Sequence, residues 1–408
     1  KHHANPVLTW DKPWEGNCVI TWGSILYEPD EKLFKAWYEV YKKFPPQGEV
    51  GITMCYATSR DGIKWDKPNL GLHEFRGSKE NNIIVNHAVD APTVFRDPNP
   101  SAESKYRMYW YDCKERGVMS AISVDGIHWK VQEGIRVKSG DRMSAGYDPL
   151  RKKYYVITRI PGRGFRSCGL WESGDGLEFS FVKEIAAADG NDPEKTQFYG
   201  MITFPYQGLY IGFLEPFFIP IRKLDTQLMY SRDGVDWQRA VDRQTFLPYG
   251  PPGSWDQAWV TPSQNPPIRI GDKLYIFYQG RQTLHWAERP FGHIGSVGLA
   301  FLRPDGFVSM ETQWNEGTVS TAPLLLEGDK LHVNAVAKPG TVCAEVLDLE
   351  GNPIAGFTRQ DAVPMKMADS LDHVLTWKDN VTLAKLAGKK VRLRFYLRGA
   401  KLFSFWSE

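Results

Sequence analysis

The 408-residue chain has almost no charge of either sign to spare: 50 Lys+Arg against 48 Asp+Glu leave a net charge of +2. Such a balance carries no electrostatic footprint for nucleic acid or for an anionic membrane surface. Long hydrophobic runs are missing as well. A spanning helix needs about 18 apolar residues, and the longest runs here, such as Leu209 to Leu214, are strand-sized. Cysteine is sparse: Cys18, Cys55, Cys113, Cys168 and Cys343 are widely spaced, odd in number and form no C-x-x-C pair. That excludes a disulfide framework and a zinc ribbon, and leaves mostly buried thiols as the expectation. No metal-ligand spacing or glycine-rich phosphate loop occurs, so no metal and no cofactor is expected. The first residues show no charged start followed by an apolar stretch, the pattern of a leader.

What the chain has in quantity is aromatic residues, 13% with Trp 15, Tyr 18 and Phe 21, beside Gly 37 and Pro 27. This mixture favours strands and turns over helices. At about 150 residues per domain, the length suggests two or three domains.

One pattern recurs along the chain. It reads Ser59-Arg60-Asp61-Gly62-Ile63-Lys64-Trp65, Ser123-Val124-Asp125-Gly126-Ile127-His128-Trp129, Ser173-Gly174-Asp175-Gly176-Leu177-Glu178-Phe179 and Ser231-Arg232-Asp233-Gly234-Val235-Asp236-Trp237, with a degenerate copy at Arg303-Pro304-Asp305-Gly306-Phe307. Asp-Gly between apolar strands signals a hairpin whose two central residues take positive φ. The aspartates are spaced by 64, 50, 58 and 72 residues, enough for four short strands each, the content of a propeller blade. Hairpins precede each copy, for example Ser24 to Tyr27 with Leu33 to Tyr38, and Met201 to Phe204 with Leu209 to Phe213. The expectation is an all-β chain: a five-bladed β-propeller over residues 1–315, with Val7 to Trp10 pairing into the last blade, and a β-sandwich with irregular repeats as the alternative. From about Gly317 the spacing changes. Thr321 to Leu326, Leu331 to Ala335, Val342 to Asp348, Val374 to Trp377, Val391 to Leu397 and Leu402 to Trp406 read as strands of a small β-sandwich over 316–408, an accessory domain.

In a propeller the start of each blade's first strand and the end of its second meet on one rim, around a central funnel. That rim collects Glu15, Trp22 and Glu39, then His87, Asp90 and Asp112, then Asp141, Arg142 and Arg159, then Gln197, Tyr199 and Glu215, and finally Asp256, Gln257 and Arg281, with His285 just beyond. Carboxylates, arginines and flat rings together suit a neutral polyhydroxy ligand, with forked groups for hydroxyls and rings for C–H faces. Opposed carboxyl groups across a sugar are what glycoside hydrolysis requires. Asp90, at the entry of the apolar strand after Val89, is the first candidate for an ionised role. Glu215, at the end of the apolar strand Leu209 to Leu214, is the candidate general acid, since an apolar setting raises a carboxyl pKa. Asp141 and Glu15 complete the catalytic set. Trp22, His87, Asp112, Arg142, Arg159, Gln197, Tyr199, Asp256, Gln257 and Arg281 are the candidate substrate-binding residues.

Five blades of this texture followed by a sandwich resemble the arabinanases, fructosidases and related enzymes of glycoside hydrolase families 43 and 32. Arg96-Asp97-Pro98 matches the fructosidase Arg-Asp-Pro in letters, and Glu28-Pro29-Asp30 and Asp148-Pro149 occupy equivalent turns. Asp97 is accordingly read as a turn residue. No Trp-x-Asn-Asp-Pro and no Glu-Cys occurs, and Asp141-Arg142 stands where that family has a glutamate. The repeated hairpin is also similar to the Asp-box of sialidases, and Asn5-Pro6-Val7-Leu8 to the opening of some mannoside phosphorylases. The resemblance implies a secreted or periplasmic glycoside hydrolase acting on a plant or algal poly- or oligosaccharide. A non-catalytic carbohydrate-binding propeller and a glycoside phosphorylase are the alternatives, the latter through the phosphate-binding capacity of Arg142, Arg159 and Arg281.

Overall fold

The computed structural model describes residues 1–42, 44–160, 165–286 and 292–408. Among them every extended element is a β-strand, and the helices are single 3-10 turns. No helix is long and apolar enough to cross a membrane. The chain divides into two compact units, Lys1–Ile268 with Tyr275–Phe301, and Arg269–Leu274 with Leu302–Glu408.

The first unit opens with three four-stranded antiparallel sheets in chain order. They are β1 (Val19–Glu28), β2 (Leu33–Tyr41), β3 (Ile52–Ser59) and β4 (Ile83–Val85); β5 (Val89–Ser101), β6 (Ser104–Asp112), β7 (Gly117–Ser123) and β8 (Lys130–Val137); and β9 (Met143–Asp148), β10 (Lys153–Arg159), β11 (Cys168–Ser173) and β12 (Ser180–Ala186). A larger sheet follows. In it β13 (Thr196–Tyr206) pairs with β14 (Leu209–Phe218), which also pairs with β15 (Lys223–Leu224) and β16 (Thr226–Ser231). Strands β17 (Trp237–Arg239) and β18 (Thr245–Leu247) extend β16. A single parallel step from β15 leads to β19 (Trp259–Pro262), which pairs with β21 (Lys273–Arg281), flanked by β20 (Ile268–Ile270) and β22 (Gly295–Leu302). Leu8 bridges to Val297, bringing the N-terminal segment onto β22.

The repeated hairpins explain themselves residue by residue, though not by the turn expected. Only the glycine takes positive φ: +73° at Gly62, +79° at Gly126, +76° at Gly176 and +76° at Gly234. The aspartate stays out of that region because its side chain closes the turn. Asp61 Oδ1 accepts from the backbone N–H of Ile63 and Lys64, both at 2.8 Å, while Ser59 Oγ accepts from Gly62 N–H at 2.9 Å. Asp125, Asp175 and Asp233 repeat the arrangement. Where the closing residue is Trp, its indole donates to the glycine carbonyl, as Trp129 does to Gly126 at 3.1 Å. In the degenerate copy the pattern is inverted, with Asp305 at φ +60°.

Neighbouring sheets are stitched by buried polar contacts. Tyr106 OH donates to Glu28 at 2.7 Å, Tyr154 OH to Asp97 at 3.3 Å and Tyr210 OH to Asp148 at 2.9 Å. Asp97 is thus a structural acceptor at its turn, also held by Arg107. Towards the interior, Asn265 Oδ1 accepts from Ile25 N–H on β1 and its Nδ2 donates to Val94 O on β5, each at 2.9 Å. Gln264 Nε2 donates to Trp22 O on β1 and Met143 O on β9, at 3.1 and 2.9 Å. One pair of adjacent amides therefore reaches three of the first strands. Satisfying the backbone this way lets those strands come together without water.

The second unit is an eight-stranded antiparallel sheet system around Leu331, Val333, Val346, Leu375, Trp377, Leu393 and Phe395. The two strands expected at Leu331 to Ala335 and Val342 to Asp348 are one, Leu331–Leu347. Pro339 and Gly340 do not turn the chain; they sit in an irregularity between Ala337 and Thr341, where the strand changes partner from Ala400–Ser407 to Lys390–Arg398. A proline is tolerated there because no ladder bond needs its missing N–H.

Candidate functional site

Three of the first strands carry a register irregularity, and each one falls at a residue that faces the interior. In β1 it lies between Ile20 and Ser24, around Trp22; in β5 between Asp90 and Thr93; in β13 between Phe198 and Gly200, at Tyr199. A bulge re-aims side chains that strict alternation would send elsewhere. In β5 it puts Ala91 at φ +51°, a strained conformation for a residue with a Cβ, and Ala91 N–H donates to Glu39 Oε2 at 3.0 Å.

The result is a buried cluster of acids, guanidinium groups and rings. Trp22 stacks on Tyr199 at 5.6 Å between centroids, and Trp259 on His285 at 5.1 Å. Tyr199 OH and His285 Nε2 are 3.2 Å apart. Arg142 and Arg281 lie over Trp22 at 5.0 and 4.9 Å, and Arg281 over Trp259 at 4.0 Å. Arg159 and Arg166 both lie over Tyr199, at 5.3 Å. Ring faces attract these cations, and more strongly away from water.

Three carboxylates share the cluster and differ in their partners. Glu215, fully buried, is clasped by Arg142: Nε donates to Oε2 at 2.9 Å and Nη2 to Oε1. The strand expected to end before it runs on to Phe218, so Glu215 stands inside β14 opposite Gly200, and the apolar setting expected for it is filled by a guanidinium. A Cβ at Gly200 would lie 2.8 Å from Glu215 Oε2 and 3.0 Å from Arg142 Cγ; only glycine leaves room for the pair.

Glu39 and Asp90 have no such clasp. Glu39 Oε1 and Asp90 Oδ1 are buried without a hydrogen-bond partner among the described residues, as are Trp22 Nε1, Trp259 Nε1 and Arg281 Nε and Nη2. Burial pushes the Asp90 carboxyl up to about 6, against the pull of Arg142, Arg159 and Arg281. Burial raises Glu39 well above the usual carboxylate range, and the Asp90 charge raises it further. Desolvation with a like-charged neighbour is how a carboxylic acid keeps its proton near neutrality beside an ionised partner.

Other candidates fall elsewhere. Glu15 is fully buried in a separate nest: Tyr38 OH donates to it at 2.6 Å, Lys67 Nζ sits 2.7 Å from Oε1, and the N–H groups of Asp11 and Lys12 donate at 2.9 and 3.0 Å. All its partners are structural, which removes it from the cluster. Asp141 is at the rim, 46% exposed, in an ion pair with Arg159. Gln197 accepts from Arg166 at 2.7 Å, at the cluster's edge. His87 is exposed and lines a different groove with Leu72, Trp110 and Trp129; Asp112 is 3.9 Å from it and accepts from the N–H of Lys114 and Glu115. Asp256 is taken by Lys1 at 2.6 Å, and Gln257 by Gly253 N–H and Gln282 O. A cleft of about 580 Å³ bordered by Phe165, Ser167, Glu184 and Lys195 shares only Arg166 with the cluster.

The sequence places Glu39 on the rim but not among the catalytic candidates, and leaves Tyr41, Trp259 and Arg166 out. Glu39 carried a signal, as the one acid within Ala36-Trp37-Tyr38-Glu39-Val40-Tyr41, where an unpaired charge in an apolar strand is rare. Among the described residues no group of three or more His, Cys, Asp or Glu side chains is arranged to hold a metal. Cys18, Cys55, Cys168 and Cys343 are buried thiols and Cys113 is exposed.

No family model and no curated protein matches the chain. Solved structures do. One described as a glycoside hydrolase is 13% identical, with TM-score 0.50, over 72% of this chain and 90% of that one. Another, described as an RGII complex, is 13% identical, with TM-score 0.51, over 72% and 90%. At such identity the likeness is one of fold, and at that level the chain resembles the glycoside hydrolases to which its repeats and hairpins pointed.

Proposed function

We propose that the four successive sheets of the first unit, the last and largest supplying two blades, close into a five-bladed propeller around the buried cluster, with the second unit as a β-sandwich accessory, and that the cluster hydrolyses a glycosidic bond. The observation that carries this reading is the set of buried polar atoms left without partners around Glu39 and Asp90. Unsatisfied groups at this depth cost stability unless something polar fills them, and a sugar offers hydroxyls to the forks and to the indole N–H groups of Trp22 and Trp259.

In this mechanism Glu39, protonated through burial, gives its proton to the glycosidic oxygen as the bond to the anomeric carbon breaks. Asp90, ionised, stands as base towards the attacking water or as nucleophile, and the separation of the two carboxyl groups in the bound complex sets the stereochemical outcome. Glu215 is a positioning residue: by holding Arg142 it fixes a cation beside Asp90 and Glu39.

A panel of polysaccharides and aryl glycosides, assayed with wild type, Glu39→Gln and Asp90→Asn, tests the proposal. Either substitution is expected to lower turnover by roughly 10²–10⁴-fold. Sugar binding with no turnover in wild type would make the first unit a carbohydrate-binding propeller instead, and turnover untouched in both variants would remove the pair from catalysis.

A further inference from the structure

The class of substrate follows from one guanidinium, and this inference rests on reading the cluster as a carbohydrate site. Arg281 is 1% exposed. Its guanidinium lies against flat rings, 4.0 Å from the Trp259 centroid and 4.9 Å from that of Trp22, with Tyr41 at 5.7 Å. Its Nε and Nη2 have no hydrogen-bond partner among the described residues. These two nitrogens form one edge of the guanidinium plane, the edge that grips an oxyanion side-on through two parallel N–H···O bonds.

The same cluster holds that edge in use. Arg142 presents Nε and Nη2 to the two carboxylate oxygens of Glu215. Arg281 is a second fork of the same kind, fixed by stacking and lacking its acid. Charge points the same way. Glu215 answers Arg142 and Asp141 answers Arg159. Of the remaining acids, burial holds both Glu39 and Asp90 above the ordinary carboxylate range, and the Asp90 charge raises Glu39 further. Among the described residues Arg166 donates to the neutral Gln197, while Arg281 acts on Asp90 and Glu39 through space and keeps one edge without a hydrogen bond. A guanidinium removed from water with an empty bidentate edge is costly until an anion completes it.

We propose that Arg281 receives the oxyanion of an acidic sugar, a uronate carboxylate or a sulfate ester, so that the substrate of this site is an acidic oligosaccharide rather than a neutral one. Because the fork is already packed against Trp259 and Trp22, little ordering remains when the anion arrives.

Titration calorimetry and turnover on the full chain test this with matched probes: an oligosaccharide ending in a uronic acid, the same sugar with that carboxyl reduced to an alcohol, and a sulfated analogue. The uronic or the sulfated probe should bind at least about tenfold tighter than the reduced one, and which of the two does so identifies the anion's source. Arg281→Lys, which keeps charge but loses the fork, should bring the ratio below about threefold; the wild-type comparison stands if that variant does not fold. Equal binding of reduced and acidic probes overturns the inference and leaves the hydrolase reading intact, as does cleavage of neutral probes alone. Cleavage of neutral probes only in the presence of inorganic phosphate, with release of a sugar phosphate, overturns it by assigning the fork to a co-substrate. Binding and cleavage of no probe, acidic or neutral, overturns both.

Discussion

Two neighbouring residues of β2 face opposite sides of one strand and meet opposite fates. Tyr38 turns to Glu15, where a fully buried carboxylate is closed by a hydroxyl, an ammonium and two backbone N–H groups. Glu39 turns to Asp90, where two buried carboxyl groups retain oxygens with no partner among the described residues. Both sites are buried and both are acidic, so burial alone separates nothing. The difference lies in satisfaction: a buried charge with all its partners supplied by the chain is part of the framework, and one without them is prepared for something that arrives.

The sharpest way to break this comparison is to neutralise an acid on each side. Glu39→Gln or Asp90→Asn should cost roughly 10²–10⁴-fold in turnover without lowering the melting temperature, because each replaces a carboxyl group that burial disfavours in its charged form with a neutral amide of the same shape. Glu15→Gln should do the reverse. It takes from the buried Lys67, 5% exposed, one of its two carboxylate partners, Asp11 being the other, and urea unfolding should show a loss of about 1–3 kcal/mol with turnover per folded molecule unchanged. A loss of turnover in Glu15→Gln at full folding would erase the distinction.

A smaller effect sharpens the acid side. The Asp90 carboxyl holds its proton to about pH 6 in the folded chain against an ordinary value of 3.8. Between those limits the folded state binds more protons than the unfolded one, so this group's contribution makes stability fall as pH rises. Glu39, also raised, continues that fall to higher pH. Melting temperatures of wild type and Asp90→Asn across this range should therefore diverge in favour of the variant as pH rises.

The smallest effects belong to the hairpins. A Cβ at Gly126 would lie 2.5 Å from Trp37 Cζ2 at a φ of +79°, whereas one at Gly174 would meet nothing within 4 Å. Gly126→Ala should destabilise by about 1–3 kcal/mol and Gly174→Ala by less than about 0.5 kcal/mol, as read by thermal melts.

Much of the framework was legible because it is local. Ser-x-Asp-Gly followed by an apolar residue and an aromatic is a complete hydrogen-bonding kit within seven residues, so its repeats mark the hairpins directly. The site was legible only in part. Asp90, Arg142, Arg159, Tyr199, Glu215, Trp22 and Arg281 follow from strand ends converging on one rim. What residue types do not reveal is who answers whom. Glu215 reads as an acid in an apolar strand until Arg142, 73 positions away, is found in its grip, and Glu15 reads as a rim acid until Lys67 and Tyr38 close over it. The bulges at Trp22, Asp90 and Tyr199 depend on register between strands, which no local spacing encodes.

The proposed catalysis turns on a carboxylic acid that keeps its proton in the buried interior at neutral pH. Infrared difference spectroscopy between wild type and Glu39→Gln reads that proton without any substrate. A protonated-carboxyl band is expected in wild type that vanishes in Glu39→Gln and survives in Glu15→Gln; a wild-type spectrum at neutral pH with ionised carboxylates only would contradict the assignment of Glu39 as the acid.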